Sequence, residues 1–123
     1  MILTSLLLLP LIGACGSDGN ASESSAGPSR AIEIAAAEYT FTGDPGVIAA
    51  GDTIEFVVEN VGQLDHSLEV LSEAGSSLGA TERIVAGQSD SVTVTFDDPG
   101  VYRLICDIDD HLTRGQVATI TVT

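Results

Sequence analysis

From Arg30 onward apolar side chains recur at every second residue, and that period selects strands over helices as the building element. Ile54, Phe56 and Val58 alternate with Thr53, Glu55 and Glu59, while Val92, Val94 and Phe96 alternate with Ser91, Thr93 and Thr95. Ala118, Ile120 and Val122 repeat the pattern against Thr119, Thr121 and Thr123; Ile32 with Ile34, then Tyr39 with Phe41, begin the domain similarly. Such a strand buries one face and wets the other, so it needs a second apolar face to lie against. Turn signals separate the runs at Gly43-Asp44-Pro45-Gly46, Ala50-Gly51-Asp52, Ala86-Gly87-Gln88 and Asp97-Asp98-Pro99-Gly100. The spacing predicts an all-β fold, an antiparallel β-sandwich of about six to eight short strands over residues 30–123. Ser72 to Arg83 fits no single pattern and reads as a loop, a short helical turn or an irregular edge.

A chain of 123 residues holds one domain of ordinary size. Eighteen acidic side chains face four arginines and no lysine, leaving a formal net charge of -14. That balance excludes nucleic acid as a partner, because its binding needs a basic footprint. A cationic partner is the simplest electrostatic match, and solubility alone is the plainer account of the same charge.

Residues 1–14 carry no charge and contain the run Leu6-Leu7-Leu8-Leu9-Pro10-Leu11-Ile12, which reads as a secretory signal segment. The run is too short for a membrane span, which takes about 20 apolar residues. Ile12-Gly13-Ala14-Cys15 resembles a bacterial lipobox, and this implies that Cys15 becomes lipidated and N-terminal after cleavage. No Lys or Arg precedes the apolar run, a departure that points to a true start upstream. Residues 15–29, rich in Gly, Ser and Ala, then form a flexible tether with an end-to-end distance of about 20 Å. The expected product is exported, and either lipid-anchored to the outer face of the cell membrane or periplasmic.

With Cys15 assigned to a lipid, Cys106 is the only thiol of the domain, so no disulfide can form within it. The only histidines are His66 and His111, and the spacing Cys106-x4-His111-x4-Gln116 runs from a strand into a loop. Tyr102, Leu104 and Cys106 share one strand face, and Gly115 lets the chain turn back. His66 follows Asn60-Val61-Gly62, just past the Ile54-Phe56-Val58 strand, where a loop can lean over the same end. One thiolate and two imidazoles with a weak axial donor suit both Cu(I) and Cu(II). The same three with a carboxylate would also satisfy tetrahedral zinc.

Residues 31–123 resemble a cupredoxin of the plastocyanin, pseudoazurin and amicyanin type. The stretch Ile48 to Gly62 is similar to that family's segment leading to the first histidine ligand, and Gly100-Val101-Tyr102-Arg103-Leu104-Ile105-Cys106 to the strand entering the cysteine ligand. The resemblance implies a Greek-key sandwich or barrel holding one type 1 copper, with His66, Cys106 and His111 as equatorial ligands. The family's axial methionine is replaced here by Gln116. Its amide oxygen resembles the axial donor of the stellacyanin-like branch, which would lower the reduction potential; the other reading turns Gln116 away from the metal. Asn60 and Ser67 are candidates for hydrogen bonds to the ligand loops or to the Cys106 sulfur.

The implied function is a membrane-tethered, monomeric one-electron carrier, not an enzyme, with His111 as its electron port. Asp107, Asp109 and Asp110 lie inside the ligand loop, where they would steer a redox partner bearing a basic patch. The alternative is a copper or zinc binding or delivery protein without redox cycling. Nucleophilic hydrolysis finds no support, because both histidines are better used as ligands.

Overall fold

The structure, a computed structural model, describes residues 27–123. The signal segment, Cys15 and all but the last three residues of the tether lie outside the described residues. Eight strands follow in chain order: β1 (Arg30–Ala37), β2 (Thr40–Thr42), β3 (Thr53–Asn60), β4 (Glu69–Leu71), β5 (Ser77–Ala80), β6 (Ser89–Thr95), β7 (Gly100–Ile105) and β8 (Val117–Val122). They build two four-stranded sheets, ordered β2-β1-β3-β6 and β5-β4-β7-β8.

The period-two faces do what the alternation requires. Ile32 sits opposite Phe56 and Ile34 opposite Val58, Ile54 opposite Val94, and Tyr102 opposite Ile120, so each inner face presents matched apolar pairs. Phe96 stands edge-on to both Phe56 (ring centroids 6.2 Å apart) and Tyr102 (4.8 Å), which knits the two sheets together. The Tyr102 hydroxyl donates to the Asp98 carbonyl at 2.7 Å, so its polar end is satisfied as its ring is buried.

One pairing departs from the antiparallel expectation: β1 and β3 run parallel, from Arg30 opposite Ile54 to Ala36 opposite Asn60, so the first sheet is mixed. Residues 43–52 cause this. After β2 they cross to the second sheet, where Ile48 bridges Val122, and return to start β3 at the end where β1 began. The Arg30 guanidinium holds this crossing by donating to the carbonyls of Pro45 and Val47. Strand direction leaves no mark on a period of two, so alternation alone could not reveal it. The ambiguous segment 72–83 contains a turn and the edge strand β5, with a register shift at Val70/Leu71 on its partner β4.

Four chain segments meet at one end of the sandwich. They are the β1–β2 turn, the loop after β3, the end of β7, and the loop from Cys106 to Gln116 that returns into β8.

Candidate metal centre

Cys106 and Gln116 flank one loop. Cys106 directly follows β7, Gln116 directly precedes β8, and the Cys106 amide donates to the Gln116 carbonyl at 3.3 Å, extending the β7–β8 ladder to the base of the loop. Inside it the His111 amide donates to the Ile108 carbonyl and the Gln116 amide to the His111 carbonyl, both at 3.0 Å. Gly115 takes a φ of 101°, the left-handed conformation that lets so short a loop close. His66 is fixed differently: its amide and carbonyl form an isolated bridge with Ile84, at 3.0 and 2.8 Å.

These anchors bring the sequence-predicted donors together. Nδ1 of His66, Sγ of Cys106 and Nδ1 of His111 all lie within 4.8 Å of one another, and all three residues are buried. Sγ is 4.0 Å from the His66 nitrogen and 3.6 Å from the His111 nitrogen. A first-row metal bonded at about 2.3 Å to sulfur and about 2.0 Å to nitrogen sets those atoms about 3.5–3.7 Å apart, so the spacing fits such an ion. Gln116 joins them, with Oε1 2.9 Å from Nδ1 of His66.

The polarity of the cluster is equally telling. Nε2 of His66 lies 3.0 Å from Oε1 of Glu38, and because a carboxylate only accepts, that nitrogen carries the proton. In a neutral ring Nδ1 then presents a lone pair to the space shared with Sγ and the Gln116 oxygen. Electron-rich atoms converge there, and a cation is what completes them. Among the described residues no carboxylate joins the metal-holding group, so a zinc site completed by Asp or Glu is not assembled.

The surroundings hold these donors by their far sides. Nε2 of Gln116 donates to the carbonyls of Ala37 (3.0 Å) and Thr40 (3.1 Å), which fixes the amide orientation: exchanging O and N would set an oxygen against two carbonyls. Tyr39 meets the His111 ring edge-on at 5.2 Å, and the Arg114 guanidinium covers the Tyr39 ring at 5.3 Å. Asn60 is buried and serves the loop rather than the sulfur. Its Nδ2 donates to the carbonyls of Leu64 (2.7 Å) and Ile84 (2.8 Å), and its Oδ1 accepts from the Gly62 amide (2.9 Å). Ser67 joins the two ligand loops by donating to the Asp107 carboxylate and accepting from the Asp107 amide at 3.2 Å, while its Oγ lies 3.8 Å from Sγ.

Glu38 was not a sequence candidate. Besides His66, its Oε1 accepts from the amides of Leu64 (2.7 Å) and Gln63 (2.9 Å). The Leu64 amide first, with the His66 ring and the Gln63 amide, outweighs desolvation and holds the carboxyl down to about 2. A two-residue hairpin turn gives no sequence signal of such reach, since its partners stand some 25 to 28 positions away.

His111 is 3% exposed and lines a surface depression with Leu64, Asp65, Arg83 and Asp109. Around it Asp65 pairs with Arg83 at 3.0 Å and Asp110 with Arg114 at 2.7 Å, while Asp107 and Asp109 are exposed. Leu64 and Leu112 add apolar surface to this acidic rim.

Residues 5–119 match the family described as "Cupredoxin-like domain". The chain is 36% identical over 77 residues to plastocyanin of Prochlorothrix hollandica, an alignment covering 61% of this chain and 56% of that protein. It thus spans little more than half the length of that relative. Among solved structures, dithionite-reduced auracyanin from the photosynthetic bacterium Roseiflexus castenholzii is similar, with a TM-score of 0.67 at 23% identity over 79% of this chain and 99% of that one. Auracyanin A, a "blue" copper protein from Chloroflexus aurantiacus, gives 0.65 at 17% identity over 76% and 98%. At these identities the structural likeness speaks for the fold alone.

The position of Asn60 yields a stability prediction. Asn60→Ala leaves the Leu64 carbonyl and the Gly62 amide without their partner and takes one of two donors from the Ile84 carbonyl, which keeps the His66 amide, and is expected to lower unfolding free energy by about 2–3 kcal/mol in urea titrations of the metal-free protein.

Proposed function

Because the chain belongs to the cupredoxin-like domain family, we propose that it holds one type 1 copper on His66, Cys106 and His111 and carries single electrons between redox partner proteins. It is an electron carrier rather than an enzyme. One observation carries the reading: a cysteine sulfur and two imidazole nitrogens, all buried, lie within 4.8 Å of one another. Copper, when bound, supplies a one-electron couple that this mixed set of soft and borderline donors suits in both oxidation states.

The chain's own work is to keep those donors still. His66 is pinned by the bridge to Ile84, Cys106 by the ladder of β7 and β8, and His111 by the hydrogen-bonded turns of its loop. Donors held this firmly have little to rearrange when charge changes. His111, beneath the depression at the surface, is the route by which electrons enter and leave. Asn60 and Ser67 support the site by bracing the first-histidine loop and by linking it to the cysteine loop.

Gln116 is proposed as the axial donor. Its amide nitrogen is engaged by the Ala37 and Thr40 carbonyls, which leaves the oxygen as the atom facing the ligands. An amide oxygen is harder than a thioether and favours Cu(II), so the potential is lowered. The apolar run and Cys15 support an exported, lipid-anchored protein tethered through residues 15–29.

The deciding experiment loads the protein with Cu(II), records visible absorption and EPR, and titrates with ascorbate. Intense blue or green colour with small copper hyperfine splitting, bleaching reversibly, is expected. A pale, axial spectrum together with preferential zinc binding would favour metal delivery instead.

Gln116→Met should keep the blue site and raise the potential by about 60–120 mV, one to two decades of preference for Cu(I). It should also lose stability as the Ala37 and Thr40 carbonyls lose their donor. An unchanged potential would mean that Gln116 is not a ligand.

The acidic rim sets a third expectation. Transfer to a partner with a basic patch should slow as salt rises from 10 to 200 mM, read by stopped flow, because screening shortens the reach of the rim charges from about 30 Å to under about 10 Å. A rate indifferent to salt would remove steering from the account.

A further inference from the structure

The hairpin turn between β1 and β2 touches three of the four donor residues of the site. Ala37 and Thr40 receive the Gln116 amide, Tyr39 packs on His111, and Glu38 bonds His66. Only the last of these contacts brings a charge. The Glu38 side chain is 26% exposed, the His66 side chain is wholly buried, and their 3.0 Å contact is made on the imidazole nitrogen that faces away from the donor cluster.

The contact is built rather than incidental. Glu38 Oε1 is held at the same time by the Leu64 and Gln63 amides, so the carboxylate is aimed without freedom to turn away. Gly62 makes room for it: a Cβ there would stand 2.5 Å from Oε1 and 2.8 Å from Oε2 of Glu38. Any side chain at position 62 displaces the carboxylate, and hydrogen at that position admits it.

We propose that Glu38 is a positioning residue for the metal centre, fixing the His66 ring with Nδ1 toward the metal and strengthening it as a donor through the charged hydrogen bond at Nε2. A carboxylate behind a ligating imidazole raises the ring's basicity. The higher metal charge gains more from a stronger donor, so the contact favours Cu(II) and lowers the potential, independently of Gln116. The effect on potential rests on the copper reading above, whereas the effect on donor strength holds for any divalent ion on these ligands.

Three variants test it. Glu38→Gln removes the charge but keeps an oxygen for the Leu64 and Gln63 amides. Gly62→Ala keeps the charge but pushes the carboxylate off His66. Glu33→Gln, on the exposed face of β1, controls for the loss of one surface charge. Zinc affinity is measured by chelator competition and the copper potential by voltammetry, with circular dichroism confirming that each variant folds.

Glu38→Gln and Gly62→Ala are expected to weaken zinc by about 10- to 100-fold. Both are expected to raise the potential, by about 59 mV for each tenfold by which Cu(II) loses more than Cu(I). Glu33→Gln should change neither. The proposal is overturned if Glu38→Gln shifts zinc affinity no more than Glu33→Gln does. It is equally overturned if Gly62→Ala leaves both readouts at the parent values, because charge at a distance would then suffice. Should the parent protein show no blue copper signal, the electron-carrier reading fails while the zinc comparison still decides the role of Glu38.

Discussion

Four polar atoms from separate parts of the chain converge in one buried space, and this structure is organised around keeping them there. The Cys106 sulfur, two imidazole nitrogens and the Gln116 oxygen face a common point. Only a frame anchored elsewhere can impose that arrangement. The sandwich supplies it by spending its strongest elements at that end: the ladder of β7 and β8, the bridge between His66 and Ile84, and the buried amide of Asn60. Edge-to-face stacking of Phe96 against Phe56 and Tyr102 then locks the two sheets so that donors arising from different sheets keep their distances. A ligand set held in place by its surroundings is what both tight binding and low reorganisation require.

The support comes largely from behind. The residues of the β1–β2 turn have no ligand atom in the cluster, yet they grip Gln116, His66 and His111 by their far sides. The parallel pairing of β1 with β3 makes this possible, since it brings the end of β1 beside Asn60 and so beside the loop that carries His66. A change in how the first strand joins the sheet is therefore felt at the metal centre. Fold topology and donor chemistry are linked through one hairpin turn.

Much of this was legible in the sequence. The alternation in Ile54-Phe56-Val58, in Val92-Val94 and in Ala118-Ile120-Val122 announces strands, because a half-buried sheet face has a period of two whatever its neighbours are. Cys106, His111 and Gln116 were readable as a group because one loop carries all three. The direction of β1 against β3 was not, since period two is the same in both senses. Nor was β5, a short edge strand whose Ser77-Leu78-Gly79-Ala80 has no apolar face to alternate. Glu38 escaped notice, and Tyr39, read as a strand residue alternating with Phe41, stands instead in the β1–β2 turn against His111, for a further reason. They act through single contacts with residues far along the chain, and a contact of that kind leaves neither a period nor a spacing.

The burial of Cys106 has a consequence for durability. Methionine occurs only at position 1 and the other cysteine at position 15, so within residues 27–123 the Cys106 sulfur is the sole site open to sulfur oxidation. That sulfur is 0% exposed. The folded domain therefore offers dissolved oxidants no accessible sulfur among the described residues, so oxidation of Cys106 has to wait for the sandwich to open.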